Sequence, residues 1–364
     1  MDSLENTRKK INVIDKKIVA LFEARMDAIK DVVAYKQKHH IAILDKKREQ
    51  LLKKQNTTYF QKSEYIQYYQ PVLDMMLKVS KQFQNQCLYH DVVGYQGIEG
   101  AFGHSAALAC FPDAKLQRFK YFEDVIQAVE TGEIAYGILP FENSLTGEVG
   151  EVSDLLFAHQ VYIHDVWDMH IAHHLLGHTS TSLSKIKKIY SHPQAFLQCK
   201  TFLKGRDIEL IPYPNTALAA QFVWEAKDDR VAAIASKQSA ERFGLSVIEE
   251  DIHSHKHNTT RFIVVAKQPK LQGDYFQLMF TTNHDAGALA QAMNIIAEYD
   301  FNMESIRSRA VFEKPWTYYF LVEIKGDYQA EKTKTMLQAL TYKCEELKYL
   351  GSYQKNGGKV CQHL

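Results

Sequence analysis

The first 93 residues contain no glycine, and the first proline of the chain is Pro71. At the average glycine frequency of about 7%, roughly six glycines would be expected in a stretch of this length. Because glycine and proline interrupt helices, their absence predicts that the first quarter of the chain is helical. Apolar residues recur every three or four positions from Leu4 to Val33. This periodicity predicts a first helix of more than 30 residues, long enough to pair with a second chain.

Other absences narrow the class of protein. No apolar run approaches the roughly 18 residues that a membrane-spanning helix needs. No apolar stretch follows the polar start MDSLENTRKK to make a signal peptide. The five cysteines are scattered and form no CxxC pair, which argues against a disulfide framework or a zinc site. We therefore expect a reduced, cytoplasmic protein.

The chain changes character twice, which predicts three domains. Two shorter helices should follow the first, at about 45–55 and 71–88. From 91 to about 267, β-rich runs alternate with helical ones, which predicts an α/β domain with a largely parallel sheet and two lobes around a cleft. From 275 the order of elements is βαββαβ, which is the ferredoxin-like α+β order. The predicted division is an all-α domain at 1–89, the α/β domain at 90–268, the ferredoxin-like domain at 274–354 and a tail at 355–364.

A net charge of +1 conceals a basic first segment. Residues 1–90 hold 17 Lys and Arg against 10 Asp and Glu, a balance of +7, whereas the rest of the chain holds 27 against 33, a balance of −6. Arg8, Arg25 and Lys36 fall on the apolar stripe of the first helix, and Arg48 falls on an apolar face of the second. A buried cation is costly unless an anion lies beside it. The pattern predicts an anion-binding cavity in a helical dimer.

Two other interpretations of these cations are open. Long Lys and Arg side chains can extend from an apolar face to solvent, and no cavity is then needed. Alternatively, the run KKREQLLKK at 46–54 could bind nucleic acid, which requires cations on an outer face. A solvated helix face explains that run more simply.

Three stretches of the helical segment, TRKKINVIDKKIVALFEAR, AYKQ and DKKREQLL, resemble the all-helical chorismate mutases. The resemblance implies that chorismate, a dicarboxylate, rearranges to prephenate with no covalent intermediate. Such a site orients the substrate and stabilises charge on its ether oxygen. It also implies a homodimer, in which Arg8 serves the partner's site. The implied site comprises Arg8, Arg25 and Arg48 for carboxylates, Lys36 and Gln84 as donors to the ether oxygen, Glu49 for the hydroxyl, and Asp45 and Ser80 as further polar contacts.

Four stretches of the α/β segment place polar residues where strands meet loops or helices: YQGIEGAFGHSA, LPFENSLTGEV, YSHPQAFLQC and NTTRF. Ligands of α/β sheets usually bind at such positions. In this order the four stretches resemble prephenate dehydratase, which forms phenylpyruvate from prephenate with loss of carbon dioxide and a hydroxyl group. One departure is Gly103, where that family commonly has Ser.

The resemblance gives Thr260 the role of hydrogen-bond donor to the departing hydroxyl, which is a poor leaving group. Thr259 is an adjacent alternative, and a Thr at the start of a strand can also bond to its own backbone. The further substrate-binding residues that the resemblance implies are Asn143, Ser144, Thr146, His192, Gln194, Arg261 and Phe262.

Neither reaction needs a metal or an organic cofactor, and we expect none. His253, His255 and His257 alternate, and on a strand they would share one face, as a set of metal ligands does. We expect them in a loop instead. In IAHHLLG, His173 and His174 are expected to be core or sheet-edge histidines.

The last segment carries HDAGALAQA and IRSRAVFEKPWTYYF, which resemble the ACT regulatory domain of the same bifunctional enzymes. The resemblance implies that phenylalanine binds at a helix start and inhibits the dehydratase. The second family motif often reads ESRP, whereas Arg307 and Ala310 here reverse a charge and remove a proline. The implied phenylalanine-binding residues are Gly287, Ala288, Leu289, Ser308 and Arg309.

The sequence-based hypothesis is therefore a bifunctional chorismate mutase and prephenate dehydratase that phenylalanine inhibits, with no nucleic-acid or membrane partner. Two rivals are a two-lobed protein that only senses an aromatic acid, and an enzyme in which one of the two sites is inactive. Formation of prephenate and phenylpyruvate separates these alternatives.

Overall fold

The computed structural model describes residues 4–39, 46–89, 92–255, 257–311 and 314–355. The chain forms two compact units. The helical unit comprises residues 1–90 with 131–134, and the α/β unit comprises residues 91–130 and 135–364.

The helical unit contains three long helices, α1 (Leu4–His39), α2 (Lys46–Thr58) and α3 (Ile66–Tyr89). The 36 residues of α1 confirm the prediction from the absence of helix breakers. The predicted start of α3 at Pro71 is wrong, since Pro71 lies inside the helix. A 3-10 turn at Ser63–Tyr65 leads directly into α3 and begins the helical path earlier.

Helix α1 leaves most of its apolar surface exposed within one chain. Leu4, Ile11, Ile14, Ile18 and Leu21 are each between 51% and 70% exposed. The buried apolar residues of α1 lie in its C-terminal half, which packs against α3. An apolar stripe of this length on a monomer indicates an interaction surface.

The α/β unit contains three sheets and the helices that cover them. Its strands are β1 (Val92–Gln96), β2 (Lys115–Phe119), β3 (Tyr136–Asn143), β4 (Gly147–Glu148), β5 (Tyr162–His170), β6 (His174–Gly177), β7 (Lys188–Ser191), β8 (Glu209–Pro212), β9 (Val231–Ala235), β10 (Ser246–Glu249), β11 (Thr259–Ala266), β12 (Tyr275–Thr282), β13 (Asn302–Ala310), β14 (Tyr318–Lys325) and β15 (Cys344–Tyr353). Its helices are α4 (Phe102–Cys110), α5 (Phe122–Thr131), α6 (Gly150–Ala158), α7 (Pro193–Gln198), α8 (Lys200–Leu203), α9 (Thr216–Ala226), α10 (Lys237–Phe243), α11 (Ala288–Glu298) and α12 (Glu331–Thr341).

The first two sheets form two lobes, as the alternation of strands and helices predicted. The first has the order β2-β1-β3-β11-β5 with β4 paired to β3, and the second has the order β10-β6-β9-β7-β8. The chain crosses to the second lobe after β5 and returns at β11. The expectation of largely parallel sheets is wrong, because β11 runs antiparallel to β3 and β5, and β6 runs antiparallel to β9 and β10. Strands that leave or re-enter a lobe at a crossing run against their neighbours.

The third sheet has the order β13-β14-β12-β15, with all of its neighbours antiparallel. Together with α11 and α12 it gives the predicted βαββαβ order. Its core brings Phe276 and Leu278 of β12 against Ile296 of α11 and Met336 of α12. Lys355, the first residue of the predicted tail, contacts Glu323 Oε2 through its Nζ atom at 2.7 Å, and the rest of that tail lies outside the described residues. Over the part of the chain that is described, no helix is long and apolar enough to cross a membrane.

Candidate active sites

In the helical unit, two cations of α1 meet two polar residues of α3. The Arg25 Nη1 atom donates to Ser80 Oγ at 2.5 Å, and Lys36 Nζ donates to Gln84 Oε1 at 3.1 Å. Ser80 is 4% exposed and Gln84 9% exposed. Ser80 and Gln84 are four residues apart and therefore share a face of α3. The structure thus assembles four of the predicted mutase residues into one polar cluster between two helices.

Of the residues predicted around α2, Glu49 faces α3 and Arg48 does not. Glu49 is partly buried and accepts from Lys81 Nζ at 2.9 Å, a partner that the sequence did not suggest. Arg48 is exposed, so its predicted position on an inward face is wrong for the single chain. The helix turns Glu49 rather than Arg48 towards α3. Asp45 lies outside the described residues.

Arg8 lies far from the cluster of its own chain. A helix rises 1.5 Å per residue, so the 17 residues that separate Arg8 from Arg25 span about 25 Å along α1. No side chain bridges that distance. A contact between Arg8 and a mutase site therefore requires the site of another chain.

A second candidate site lies between the two lobes of the α/β unit. It is a cavity of about 450 Å³ in the part of the chain that the structure describes. Its lining includes no Lys, Arg, Asp or Glu. Predicted residues from both lobes line it, namely Asn143, Thr146, His192, Gln194, Thr260 and Phe262.

The Thr260 hydroxyl is oriented by a neighbouring amide. Asn143 Nδ2 donates to Thr260 Oγ1 at 2.9 Å, which occupies a lone pair of that oxygen and leaves the hydroxyl hydrogen for another acceptor. Asn143 is itself held through Oδ1, which accepts from Leu145 N at 3.0 Å and from Thr146 N at 3.1 Å. Thr259 does not line the cavity, and its backbone N–H donates to Ser144 Oγ at 3.0 Å. This geometry favours Thr260 over Thr259 as the donor.

Ser144 and Arg261 do not line the cleft, so the prediction that they bind substrate there is wrong for this structure. Ser144 Oγ donates to the His257 carbonyl at 3.0 Å. The Arg261 guanidinium makes a two-pronged contact with Asp168, at 2.7 and 2.8 Å. Successive residues of a strand face opposite sides. Thr260 and Phe262 therefore face the cleft while Arg261 faces away.

Behind Asn143 lies a chain of buried amides that the sequence analysis did not single out. Asn143 Nδ2 also donates to Asn258 Oδ1 at 2.8 Å, and Asn258 Nδ2 donates to Gln198 Oε1 at 3.1 Å. His173 Nε2 contacts the same Gln198 oxygen at 2.6 Å. Gln198 and His173 also line the cavity. The only sequence signal for Gln198 is its place in the stretch YSHPQAFLQC.

The ionisable residues that line the cleft are histidines, and burial favours their neutral form. Burial lowers the pKa of His173 to about 4 and also lowers the pKa of His192. His192 Nδ1 accepts from the backbone N–H of Gln194 at 3.2 Å, at the start of α7. An anion in this cavity therefore meets amides, hydroxyls and backbone N–H groups rather than cations.

The alternating histidines lie in the loop before β11, as expected. His253 lies with its ring 5.6 Å from the ring of His170, and the His257 carbonyl accepts from Ser144. Among the described residues, no group of three or more His, Cys, Asp or Glu side chains is placed to hold a metal ion.

A third cavity, of about 460 Å³, lies at the start of α11. It is lined by Gly287, Ala288 and Leu289, together with aromatic side chains that include Trp316 and Tyr318. Gly287 has a φ of +84°, a left-handed conformation that favours glycine. The three residues predicted at the helix start therefore do line one cavity.

The motif residues of β13 lie elsewhere. Ser308 and Arg309 do not line this cavity, and neither does Arg307. Arg309 makes a two-pronged contact with Asp154 of α6, at 2.9 and 2.7 Å, and Arg307 Nη2 contacts Glu142 Oε2 at 2.6 Å. The reversed charge at Arg307 thus pairs with an acid of the first lobe, next to Asn143.

Comparisons with known proteins agree with both catalytic motif sets. Residues 7–85 match the family model of chorismate mutase type II, and residues 93–270 match that of prephenate dehydratase. A bifunctional chorismate mutase/prephenate dehydratase of Aquifex aeolicus is 30% identical over 368 residues, covering 98% of this chain and 99% of that protein.

Two solved structures are similar in fold to about three quarters of this chain. A prephenate dehydratase from Arthrobacter aurescens in complex with L-Phe is 24% identical, with a TM-score of 0.68 over 74% of this chain and 92% of its own. A protein named GqqA, a quorum-quenching acylase, is 27% identical, with a TM-score of 0.65 over 72% of this chain and 96% of its own. Since these two names differ, the fold alone does not decide the chemistry. The match to the Aquifex aeolicus enzyme extends over nearly the whole of both proteins and includes both reactions. The protein therefore belongs to the bifunctional chorismate mutase/prephenate dehydratases.

Proposed function

We propose that the chain performs its two reactions at two separate sites, with the residues of each site in the following roles. The helical cluster rearranges chorismate to prephenate, and the cleft of the α/β unit converts prephenate to phenylpyruvate. The observation that carries this division is that each cluster contains the donors that its own reaction needs.

In the mutase site, Arg25 binds a carboxylate of chorismate, because a planar guanidinium makes two parallel hydrogen bonds to it. Lys36 and Gln84 donate to the ether oxygen, where negative charge develops as its C–O bond breaks. Glu49 accepts from the substrate hydroxyl, and Ser80 keeps Arg25 in place at 2.5 Å. No proton is transferred, so the site works by orientation and preorganised charge.

The mutase site is completed by a second copy of the chain. Arg8 lies about 25 Å along α1 from Arg25, and the apolar residues between them are more than one third exposed. Pairing of two α1 helices would cover this stripe and bring Arg8 of each chain to the other's site.

In the dehydratase cleft, prephenate loses its ring carboxylate as carbon dioxide. The electron pair of the broken C–C bond enters the ring, the ring hydroxyl leaves, and with one proton from solvent it becomes water. Thr260, oriented by Asn143 at 2.9 Å, donates a hydrogen bond to the departing oxygen and keeps its own proton. The product ring is aromatic, which supplies the driving force.

The carboxylates of prephenate are held in the cleft by neutral donors, among them Gln194 and Gln198, while the Thr146 hydroxyl donates to Asn143 Oδ1 at 3.2 Å and helps to fix that amide. A cation beside the departing carboxylate would stabilise the ground state more than the transition state, since the leaving carbon dioxide carries no charge. The neutral lining of the cleft fits this requirement.

The ferredoxin-like segment is an ACT regulatory domain that binds phenylalanine in the cavity at the start of α11. Gly287 allows close approach to the backbone, and the helix N-terminus favours the amino acid's carboxylate. The prephenate dehydratase whose solved structure contains L-Phe supports this assignment. The roles predicted for Ser308 and Arg309 would require a second chain, because neither lines this cavity in one chain. We place the enzyme in the cytoplasm, where its cysteines stay reduced.

A coupled assay tests the division into two sites. Chorismate, and in a parallel reaction prephenate, is supplied to the intact chain without added metal, and the formation of prephenate and of phenylpyruvate is measured separately. We expect both products in sequence. A protein that only senses an aromatic acid would form neither product, and an enzyme with one inactive site would convert only one of the two substrates.

A further inference from the structure

His173 is a buried histidine at the cleft that no step of the proposed reaction uses. We propose that His173 is a positioning residue, which orients the side-chain amide of Gln198 so that its NH₂ group faces the substrate. The proposal deepens the dehydratase function proposed above and rests on it.

The Gln198 amide is held by two donors on its oxygen. Asn258 Nδ2 contacts Gln198 Oε1 at 3.1 Å, and His173 Nε2 contacts it at 2.6 Å. An amide oxygen can only accept, so His173 must carry a proton on Nε2. With the oxygen occupied on this side, the nitrogen of the same planar amide is left for a ligand in the cleft that Gln198 lines.

The surroundings of His173 fix its ring and leave it a single side-chain bond. The ring packs edge-to-face on Phe102, with the centroids 5.7 Å apart, and the residue is 2% exposed. Its Nδ1 atom is buried with no hydrogen-bond partner among the described residues. An unsatisfied buried nitrogen has a cost in free energy, so a ring placed this way at a cleft points to a function for its other nitrogen.

The orientation of Gln198 reaches Thr260 through the amide chain. Asn258 donates to Gln198 and accepts from Asn143, and Asn143 donates to Thr260 at 2.9 Å. If the Gln198 amide turned over, its NH₂ group would face the NH₂ group of Asn258. That amide would have to turn as well, and Asn143 Nδ2 would lose Asn258 Oδ1 as an acceptor, keeping only Thr259 O and Thr260 Oγ1. Hydrogen-bonded chains of this kind strengthen or fail together.

The test uses three single variants of the full-length chain, assayed with prephenate. His173→Met keeps the volume and removes the donor. His173→Gln carries an N–H at nearly the same reach as the imidazole Nε2. His174→Met is the matched control, because His174 is also buried but does not line the cleft and instead accepts from Asp251 N at 3.2 Å.

We expect His173→Met to lower dehydratase kcat/KM about tenfold, the scale of one neutral hydrogen bond. His173→Gln should recover activity to within about threefold of the wild-type chain, and His174→Met should match it. Mutase activity and the unfolding of the α/β unit by tryptophan fluorescence report whether each variant folds. If His173→Met does not fold, His173→Asn is used instead. The Asn side chain is too short for its N–H group to reach Gln198.

A double-mutant cycle separates orientation from general packing. In a Gln198→Ala background, His173→Met should have no further effect. An equal loss in both backgrounds, equal activity of the Met and Gln variants, or wild-type activity of His173→Met would each overturn the positioning role. A wild-type chain that makes no phenylpyruvate would instead overturn the dehydratase function itself.

Discussion

The two candidate active sites differ in charge, although both proposed substrates are dicarboxylates. In the helical unit the cations Arg25 and Lys36 bond to Ser80 and Gln84, so the proposed mutase site contains two positive charges. In the α/β unit, the described lining of the cleft has no charged side chain and its histidines are neutral. The two sites also differ in completeness as proposed, since residues of one chain line the cleft, whereas the proposed role of Arg8 needs a second chain.

This difference follows from what each proposed reaction does with charge. The rearrangement of chorismate keeps both carboxylates, so cations can bind them throughout and also stabilise charge on the ether oxygen. The conversion of prephenate turns one carboxylate into neutral carbon dioxide. A cation beside that carboxylate would lose its partner as the charge disappears in the transition state. It would therefore stabilise bound prephenate more than the transition state and slow the loss of carbon dioxide.

The largest expected effect is on the cationic site. Arg25→Ala leaves a buried substrate carboxylate without its partner, a loss of several kcal/mol. We expect mutase kcat/KM to fall by about 10³-fold while prephenate turnover is unchanged. Lys30→Ala is the control, since Lys30 lies on the same helix but pairs with Asp27 at the surface. A parallel fall of both activities in folded Arg25→Ala would contradict two separate sites.

Acid should affect the α/β unit through His173. The pKa of His173 is about 6.5 in the unfolded chain and about 4 in the folded chain, where burial lowers it. Below pH 6.5 the unfolded state therefore binds more protons than the folded state. Stability is therefore lost as the pH falls from 6.5 to 4, by on the order of 3 kcal/mol. All three tryptophans, Trp167, Trp224 and Trp316, lie in this unit, so denaturant unfolding followed by their fluorescence measures the loss. The same pH dependence in His173→Gln would assign it to other groups.

Thr260→Val tests the neutral site. The substitution keeps the shape of the side chain and removes the hydroxyl that Asn143 orients. Dehydratase activity should fall at least ~10²-fold, the scale of general-acid catalysis, with no change in mutase activity. Thr259→Val is the matched control and should retain activity, because Thr259 does not line the cleft. The reverse result would move the role to Thr259.

The smallest expected effect concerns control of the cleft by the third cavity. Gly287 and Gly205 both have positive φ angles, +84° and +78°, with open space where a Cβ would lie. A Cβ in this conformation costs about 1–2 kcal/mol. Gly287→Ala should raise the phenylalanine concentration for half-inhibition of prephenate turnover by about fivefold or more, and Gly205→Ala should not. If phenylalanine inhibited both variants equally, the proposal that it binds in the α11 cavity would be contradicted.

Errors in the sequence analysis have identifiable physical causes. Arg261 was grouped with Thr260 because both stand in NTTRF, but the alternation of side chains along β11 sends it to Asp168. Arg48 was assigned to an inward face from apolar spacing, although helix α2 presents Glu49 to α3. Arg307 belongs to the second phenylalanine motif, but its side chain contacts Glu142 and does not line the cavity at the start of α11. In each case the motif identified residues that are neighbours along the chain, but it did not predict the direction in which each side chain points.

What the sequence determined by itself is local or repetitive. The absence of glycine and proline predicted α1, the periodicity placed Arg25 and Lys36 on its inward stripe, and the order of elements predicted the βαββαβ segment. These features depend on neighbours within a few residues along the chain, so they can be predicted without knowledge of the fold.

Only the tertiary structure decided how the dehydratase cleft is organised. His173 and Gln198 are 25 residues apart, Gln198 and Asn258 are 60 apart, and Asn143 and Asn258 are 115 apart. The two bonds of Asn258 join segments that meet because the chain leaves the first lobe after β5 and returns at β11. A hydrogen bond depends on the distance and angle between two groups in space, and no local pattern in the sequence encodes either across such separations.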